Sequence, residues 1–252
     1  MFPVVDIKPI NVAVYSVKHY KMKNLLDLGH HDSGKLERFN YKHYLGSAKD
    51  MTLRLDFSPK NQKKGGFKLA SFGTASQQVF GDTYDVCAKQ TFYQKRAITD
   101  QVGQDASAIQ VEVTHTIPHD GVTQIRSLSM EISCLVWARV LLDLVYKFIE
   151  KGITLHGEPP FHIPQMRFID AALAVEHNMV ESTNGRVFLL EEVIGKDEGR
   201  FRKYLNNVSA VPVPFGDEED KERALFLSFA QHVQYFKTKK LAFVSDYQGE
   251  RN

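Results

Sequence analysis

An α+β fold with two lobes is the fold class that the sequence predicts, and three features indicate it. Apolar and polar residues alternate in several segments before residue 120, which is the pattern of half-buried strands. The strongest helical pattern follows at about 128–150, and the rest of the chain mixes strand and helix patterns. Strands, then a long helix, then a mixed half are typical of an α+β protein.

Composition limits the classes of function. The chain has 252 residues, which corresponds to one large domain or two small lobes at roughly 100–200 residues per domain. Its 32 basic and 30 acidic residues leave a net charge of +2, so we expect no nucleic-acid partner and no membrane partner. Two cysteines cannot form a disulfide framework, which favours a cytoplasmic or nuclear location.

The first part of the chain is predicted to be an extension followed by strands. Residues 1–50 have poor periodicity and are interpreted as an N-terminal extension with one or two strands. Met51–Phe57 alternates apolar and polar residues, which predicts a strand. Gly65-Gly66 then lets the backbone bend sharply before a second extended segment at 67–70.

The central and final elements follow the same rules. Strands at 84–93 and 109–117 precede a turn at 118–121 and a short returning strand at 122–125. Leu128–Glu150 has helical spacing, and Gly152 suits the position just past its end. The second half is assigned strands at 166–174, 187–190 and 241–244 and a helix at 220–235, with the acidic run 217–220 as solvated surface.

Lys89 is the first candidate for chemistry. It ends the segment Val86-Cys87-Ala88-Lys89 on a predicted strand, where an ammonium can reach a cleft. Conventional protein kinases hold ATP phosphates with a strand lysine of this kind, which pairs with a helix glutamate. Glu131, at the start of the long helix, is the candidate partner. A solvated lysine and a glutamate favoured by the helix dipole are the simpler interpretations.

Further candidates offer backbone amides, oxygen ligands or imidazole. Gly65-Gly66-Phe67-Lys68 could cradle phosphate groups, although two glycines between strands also form plain turns. Asp246 and Gln248 follow a predicted strand and offer the hard oxygen ligands that Mg²⁺ prefers. His232 is a lone helix histidine, so the spacing alone assembles no complete zinc site. The His-Arg-Asp, Asp-Phe-Gly and Ala-Pro-Glu signatures of conventional kinases do not occur in the sequence.

Five short motifs follow one another in the second half of the chain. They are Met166-Arg167-Phe168-Ile169, Phe188-Leu189-Leu190-Glu191-Glu192, Phe201-Arg202-Lys203-Tyr204 with Asn206-Asn207, Phe229-Ala230-Gln231-His232, and Val244-Ser245-Asp246-Tyr247-Gln248-Gly249. In this order they resemble the atypical alpha-kinase family, and the resemblance extends from about Gly65 to Gly249. The Cys-Ala-Lys-Gln-Thr-Phe segment at 87–92 is similar to that of fungal-type members.

The resemblance implies a two-lobed, protein-kinase-like fold that binds ATP. Lys89 would bind the ATP phosphates and pair with Glu131. Gly66 and Lys68 would belong to the phosphate loop. Glu191 would lie at the hinge, near the adenine.

The resemblance also implies a catalytic and metal-binding end. Asp246 would orient or deprotonate the acceptor hydroxyl and, with Gln248, would hold Mg²⁺. His232 matches one zinc ligand of the family. The family continues past the position of Asn252 with a glycine-rich loop, a Thr-Asp-Pro element and zinc-binding cysteines. We therefore expect an incomplete C-lobe and little or no bound zinc, in a fragment of a longer kinase or a degenerate member.

The expected organisation is an extension at 1–50 and an alpha-type kinase domain at 51–252. Its N-lobe would cover about 51–185 and its partial C-lobe about 186–252. The expected function is transfer of the γ-phosphoryl group of Mg·ATP to a serine or threonine of a protein substrate. A pseudokinase or scaffold that binds a protein partner is the main alternative, and an unrelated nucleotide-binding protein is a third. The oligomeric state stays open.

Overall fold

The chain folds into two compact units in a computed structural model. The structure describes residues 7–16, 20–22, 38–102, 108–177, 185–193 and 201–249. The first unit contains 7–16, 40–132 and 170–193, and the second contains the other described residues. In the described part of the chain, no helix has an apolar stretch long enough to cross a membrane.

The first unit is built on an antiparallel sheet. Among the described residues the sheet has eight strands: β1 Ile7–Ser16, β2 Lys49–Asp56, β3 Lys63–Lys64, β4 Lys68–Ala75, β5 Asp85–Val102, β6 Ala108–Pro118, β7 Ala171–Glu176 and β8 Val187–Glu192. Their order is β3-β4-β2-β1-β7-β8-β5-β6, and β4 also pairs with β5. Because of this additional pairing, β4, β2, β1, β7, β8 and β5 close into a ring.

Alternation along the strands explains how the ring encloses a core. Met51, Leu53 and Leu55 of β2 are buried, whereas the residues between them are exposed or half-buried. Ile10 and Val12 of β1 join them in one cluster with residues of β5, β7 and β8. Burying each large aliphatic side chain contributes roughly 1.5–3 kcal/mol. The opposite faces of these strands do not line this core and can therefore contact other elements or solvent.

Helix α1, Gly121–His156, begins earlier than the sequence periodicity predicts. The carboxylate of Asp120 accepts hydrogen bonds from the backbone N–H of Thr123, at 3.0 Å, and from its hydroxyl, at 2.6 Å. These contacts satisfy donors of the first turn, as an N-cap does. The predicted returning strand at 122–125 is wrong, because this capped turn starts a helix instead.

The same helix also ends later than predicted. Gly152 lies inside it, so the predicted end there is wrong. The helix stops before Gly157, which has a φ of +85° and donates its N–H to the Ile153 carbonyl at 2.8 Å. Glycine adopts this left-handed conformation without the penalty that a Cβ imposes, so it terminates a helix readily.

The second unit packs helices around short strand pairs. It contains the part of α1 after residue 132 and helix α2, Glu218–Lys237. Strands β9 (Arg202–Lys203) and β12 (Gln248–Gly249) pair antiparallel, and so do β10 (Leu205–Asn206) and β11 (Ser209–Pro212). Apolar residues of both helices and of these strands form its hydrophobic cluster.

Three further predictions differ from the structure. The predicted strand at 241–244 is wrong, because side chains of α2 bind the backbone of this segment and no neighbouring strand does so among the described residues. The strand predicted at 166–174 begins only at Ala171. Residues 7–16, expected to lie in an extension with one or two strands, form a strand that lies inside the sheet between β2 and β7. The Asn184-Gly185 pair, which predicts a turn before the strand at 187–190, falls partly outside the described residues.

The fold is thus a mixture of α and β structure with a mostly antiparallel sheet, as the predicted class requires at this coarse level. Helix α1 begins against the outer face of the first unit's ring. There the buried side chain of Gln124 accepts from the backbone N–H of Thr91 at 2.9 Å and donates to its carbonyl at 2.7 Å. This contact fixes the start of α1 beside the polar outer residues of β5.

Candidate functional site

Lys89 and Glu191 lie on the outer face of the ring in the first unit. Lys89 of β5 is opposite Leu189 of β8, and Glu191 is two residues further along β8. Residues two apart on a strand share a face, so the lysine and the glutamate are diagonal neighbours. The Nζ atom of Lys89 is 2.5 Å from Oε2 of Glu191. The carboxylate side chain is only 7% exposed, which makes this a largely buried ion pair.

A second ion pair lies on the same face. Lys68 of β4 is opposite Thr91, two residues from Lys89, and its ammonium donates to the carboxylate of Glu131 on α1. The pairing therefore differs from the expectation that Lys89 pairs with Glu131. The reason is the register of β5 against β8, which brings a nearer carboxylate to Lys89. Glu131 acts on Lys89 only as a weaker, more distant charge.

The surroundings of Lys89 keep its ammonium charged. Burial acts to lower the pKa of Lys89, but the charge and hydrogen bond of Glu191, with smaller contributions from Cys87 and Glu131, outweigh it. The net result is a pKa above the ordinary value for lysine. Burial raises the pKa of the neighbouring Cys87 thiol to about 11, so this group is neutral near pH 7. The arrangement offers a fixed cation to an anionic ligand.

The Gly65–Gly66 segment forms the turn between β3 and β4. The N–H of Gly65 donates to the carbonyl of Lys68 at 2.8 Å, which closes a tight hairpin. A Cβ atom on Gly66 would meet no atom within 4 Å, so this glycine borders open space. The turn places its backbone directly before Lys68, as the predicted phosphate loop requires.

In the second unit, Lys203, Asp246 and Gln248 come together through one strand pair. Lys203 of β9 is directly opposite Gln248 of β12, so their side chains share a face. The Nζ atom of Lys203 lies 2.8 Å from Oδ1 of Asp246. The side chains of Lys203 and Asp246 are 44% and 41% exposed, so both can reach a ligand from solvent. A cation, a carboxylate and an amide therefore share one accessible surface.

Asp246 has an unusual backbone conformation. Its φ is +62°, in the left-handed region that residues other than glycine rarely adopt. Asparagine and aspartate tolerate this region better than most residues, but the conformation persists only where the surroundings hold it. The neighbouring residue Tyr247 is buried and stacks on Phe168 with a ring separation of 6.0 Å. The backbone is thus fixed on the carboxyl side of Asp246.

A buried carboxylate holds the strand that carries Lys203. The side chain of Asp220 is 0% exposed, and its oxygens bind the hydroxyl of Tyr204 at 3.1 Å and the guanidinium of Arg202 at 2.6 Å. Arg202 and Tyr204 flank Lys203 in sequence. The expectation that 217–220 is solvated surface is therefore wrong for Asp220. Its spacing of four and seven residues from the buried Ala224 and Leu227 is the signal that places it on the inner face of α2.

His232 lies apart from any assembled metal centre in the described residues. Its exposed side chain borders a cavity of about 200 Å³ with Phe148, Phe229 and Phe236. Among the described residues, no three His, Cys, Asp or Glu side chains are grouped so as to hold a metal ion. The zinc role of His232, with an incomplete site, stays a prediction.

Two groups of candidates thus emerge, one in each unit. Lys89, Glu191, Lys68 and Glu131 lie together in the first, and Asp246 and Gln248 in the second, where Lys203 joins them. Sequence reasoning assigned no role to Lys203. Its place three residues before the Asn206-Asn207 pair is only a motif position, because the paired residues Lys203 of β9 and Gln248 of β12 are 45 residues apart in the chain.

Comparison with known proteins finds a similarity for the C-terminal part of the chain. Residues 139–252 match the family model of the alpha-kinase family, whose members are protein kinases. The match includes Asp246 and Gln248 and begins after Lys89 and Glu131. A search of the curated proteins found no match. Over residues 139–252, the chain is thus similar to the alpha-kinase family.

Proposed function

We propose that this protein is an alpha-type protein serine/threonine kinase that transfers the γ-phosphoryl group of Mg·ATP to a protein hydroxyl. The observation that carries the proposal is the grouping of Lys203, Asp246 and Gln248 inside the segment that matches the family. Phosphoryl transfer needs mainly positioning and neutralisation of charge, and these side chains can supply both. The family match by itself supports kinase function at the coarse level.

Asp246 is the proposed catalytic carboxylate. It would accept a hydrogen bond from the acceptor hydroxyl and orient its oxygen toward the γ-phosphorus. It would take up the hydroxyl proton as the new O–P bond forms and the bond from the γ-phosphorus to the β,γ-bridging oxygen breaks, which releases ADP. The ammonium of Lys203, on Oδ1 of Asp246, holds this carboxylate in place and adds a positive charge beside it. The exposure of both side chains leaves room for a protein substrate.

Lys89 is the proposed phosphate-binding cation. Its raised pKa keeps it protonated at physiological pH, and the pair with Glu191 restricts the direction of its long side chain. We assign Glu191 to this orienting role in addition to the hinge position that the resemblance implies. Lys68 and the Gly66 backbone are the proposed remainder of the phosphate loop, with Glu131 holding Lys68.

The donor set at the catalytic end fits magnesium. Mg²⁺ binds oxygen ligands, commonly one or two protein groups together with phosphates of the nucleotide. Asp246 and Gln248 offer a carboxylate and an amide oxygen on one accessible surface. When bound there, the ion would neutralise the charge of the phosphate oxygens. Asp246 and Gln248 are the residues that we propose hold it.

The decisive experiment measures phosphotransfer with paired variants. The chain is incubated with radiolabelled ATP, Mg²⁺ and a library of peptides that contain serine, threonine or tyrosine. We expect label on serine and threonine, with losses of about 100-fold or more for Lys89→Met and Asp246→Asn. Lys95→Met, at an exposed lysine of the same strand, and Asp143→Asn, at an exposed aspartate of α1, should keep full activity.

Calorimetric binding of Mg·ATP separates the alternatives. Lys89→Met should weaken binding, whereas Asp246→Asn should chiefly reduce turnover. Nucleotide binding without transfer by the wild-type chain would indicate a pseudokinase. Loss of both in a folded chain would favour a scaffold, and transfer that survives Asp246→Asn would refute the catalytic assignment.

A further inference from the structure

The segment 241–247, which contains Asp246, is held by side chains of helix α2 and of Thr238, the residue just past its end. Thr238, just past the helix end, donates to the Ala242 carbonyl at 2.9 Å and accepts from its N–H at 3.1 Å. Gln231 donates its amide to the carbonyl of Val244 at 2.8 Å. Gln234, one turn from both, also binds the segment through its side chain. Positions 231, 234 and 238 follow helical spacing, so one face of the helix serves the whole segment.

Gln234 binds the segment at two points, on either side of Ser245-Asp246. Its side-chain oxygen accepts the backbone N–H of Val244 at 2.9 Å. Its side-chain NH₂ group donates to the hydroxyl of Tyr247 at 3.0 Å. Gln234 is 0% exposed and Tyr247 is 5% exposed, so water does not compete for these bonds. One buried amide therefore ties the backbone of Val244 to the side chain of Tyr247, on either side of Ser245-Asp246.

This two-point attachment, together with the N–H groups of Tyr204 and Leu205 that bind the Tyr247 carbonyl, restrains the chain on both sides of Asp246. A left-handed residue must be held, because it would otherwise relax to an extended or helical conformation. With Val244 and Tyr247 fixed to the same amide, the two residues between them must span a short, defined distance. Within that span Asp246 takes its φ of +62° and directs its carboxylate to Lys203.

We infer that Gln234 is a positioning residue for the catalytic carboxylate of Asp246, an inference that rests on the proposed kinase function. Its amide acts through the backbone of Val244 and the hydroxyl of Tyr247 and does not itself contact substrate. A buried amide side chain destabilises the fold unless its NH₂ group and its oxygen both form hydrogen bonds. An apolar side chain would fill the same space without this requirement. Here the NH₂ group and the oxygen both bind the segment that carries Asp246.

The test uses two changes at Gln234 and one control on the same helix. Gln234→Met keeps the approximate shape and removes both hydrogen bonds. Gln234→Glu keeps an acceptor for Val244 and can accept the Tyr247 hydroxyl, so it is the conservative variant. Leu227→Ala removes a buried aliphatic side chain of α2 that makes no side-chain hydrogen bond, and it reports general loosening of the unit.

Two measurements are made on each variant. Nuclear magnetic resonance follows hydrogen exchange of the Val244 amide, and steady-state kinetics gives kcat and the KM for ATP. For Gln234→Met we expect Val244 exchange to rise about tenfold or more. We expect kcat to fall by about 10- to 100-fold and the KM for ATP to change less than kcat, since the position of Asp246 is altered. Gln234→Glu should retain most of both properties.

Unchanged Val244 exchange in Gln234→Met would overturn the inference, and so would a kcat equal to that of wild type. An equal loss of kcat in Leu227→Ala and Gln234→Met, at matched stability, would also overturn it. A wild-type chain without phosphotransfer would instead refute the proposed function. The exchange measurement would then still decide whether Gln234 holds the segment around Asp246.

Discussion

At the scale of single residues, Asp246 combines a functional side chain with an unfavourable backbone conformation. The left-handed region costs a residue with a Cβ roughly 1–2 kcal/mol, and glycine avoids this cost. A residue that is kept there despite the cost is expected where its side chain is needed. Asp246 faces Lys203 and is the proposed catalytic carboxylate.

Two replacements of Asp246 separate the role of its carboxylate from the effect of its backbone conformation. Asp246→Gly and Asp246→Ala both remove the pair with Lys203 and should both abolish phosphotransfer. Because only glycine adopts a φ of +62° without strain, Asp246→Gly should be more stable than Asp246→Ala by about 1 kcal/mol. Urea unfolding at neutral pH measures the difference. Equal stabilities would mean that residue 246 is not held in the left-handed region in solution.

At the scale of elements, α1 shows how a local signal is decided by its surroundings. Gly152 follows an apolar helical pattern and therefore predicts a helix end, yet the helix continues to His156. A Cβ atom at Gly152 would meet nothing within 4 Å, and neither would one at Gly157. The two glycines differ in backbone conformation, because only Gly157 has a positive φ.

Replacing Gly152 and Gly157 by alanine should therefore change the free energy of unfolding in opposite directions. Gly152→Ala should raise the free energy of unfolding by about 0.5–1 kcal/mol, since alanine restricts the unfolded chain and favours a helix interior. Gly157→Ala should lower it by about 1 kcal/mol, because the left-handed end becomes strained. Thermal and urea unfolding of both variants measure the changes. A destabilising Gly152→Ala would show that the helix ends where the sequence pattern placed its end.

At the scale of the whole molecule, several tyrosine and cysteine side chains with raised pKa values should lower the stability of the fold at alkaline pH. Burial raises the pKa of Tyr247 to about 12 and outweighs the lowering by its hydrogen bond with Gln234. Burial likewise raises the pKa of Cys87 to about 11, and the pKa values of Tyr15 and Tyr146 rise in the same direction. Each group favours folding below its unfolded pKa, and this stability is lost as the pH rises through the folded pKa.

The raised pKa of Tyr247 gives a testable prediction of the stability at alkaline pH. Its contribution is fully present below pH 10, the ordinary value, and is lost as the pH rises toward about 12. A shift of this size corresponds to roughly 2–3 kcal/mol. Tyr247→Phe should therefore lose less stability than wild type between about pH 9.5 and pH 11.5. Urea unfolding at both pH values measures this, with Tyr84→Phe at an exposed tyrosine as the control. Equal pH dependence in Tyr247→Phe and wild type would contradict the prediction.

The sequence by itself determined the parts that depend on local pattern. Alternation located β2 and β6, helical spacing located most of α1 and α2, and the ordered motifs indicated the family that residues 139–252 match. Among the candidate residues, it singled out Lys89 and Asp246 by chemistry and motif position. These inferences succeed because side-chain periodicity and short motifs are local properties of a chain.

Tertiary structure decided which groups meet. The closed ring, the inner position of β1 and the pairing of Lys89 with Glu191 depend on strand register between distant segments. The burial of Asp220 and the hold of Gln234 on Val244 and Tyr247 depend on how α2 packs in its unit. Buried polar side chains form these hydrogen bonds only when packing excludes water and brings distant segments of the chain together. A local sequence pattern therefore cannot predict them.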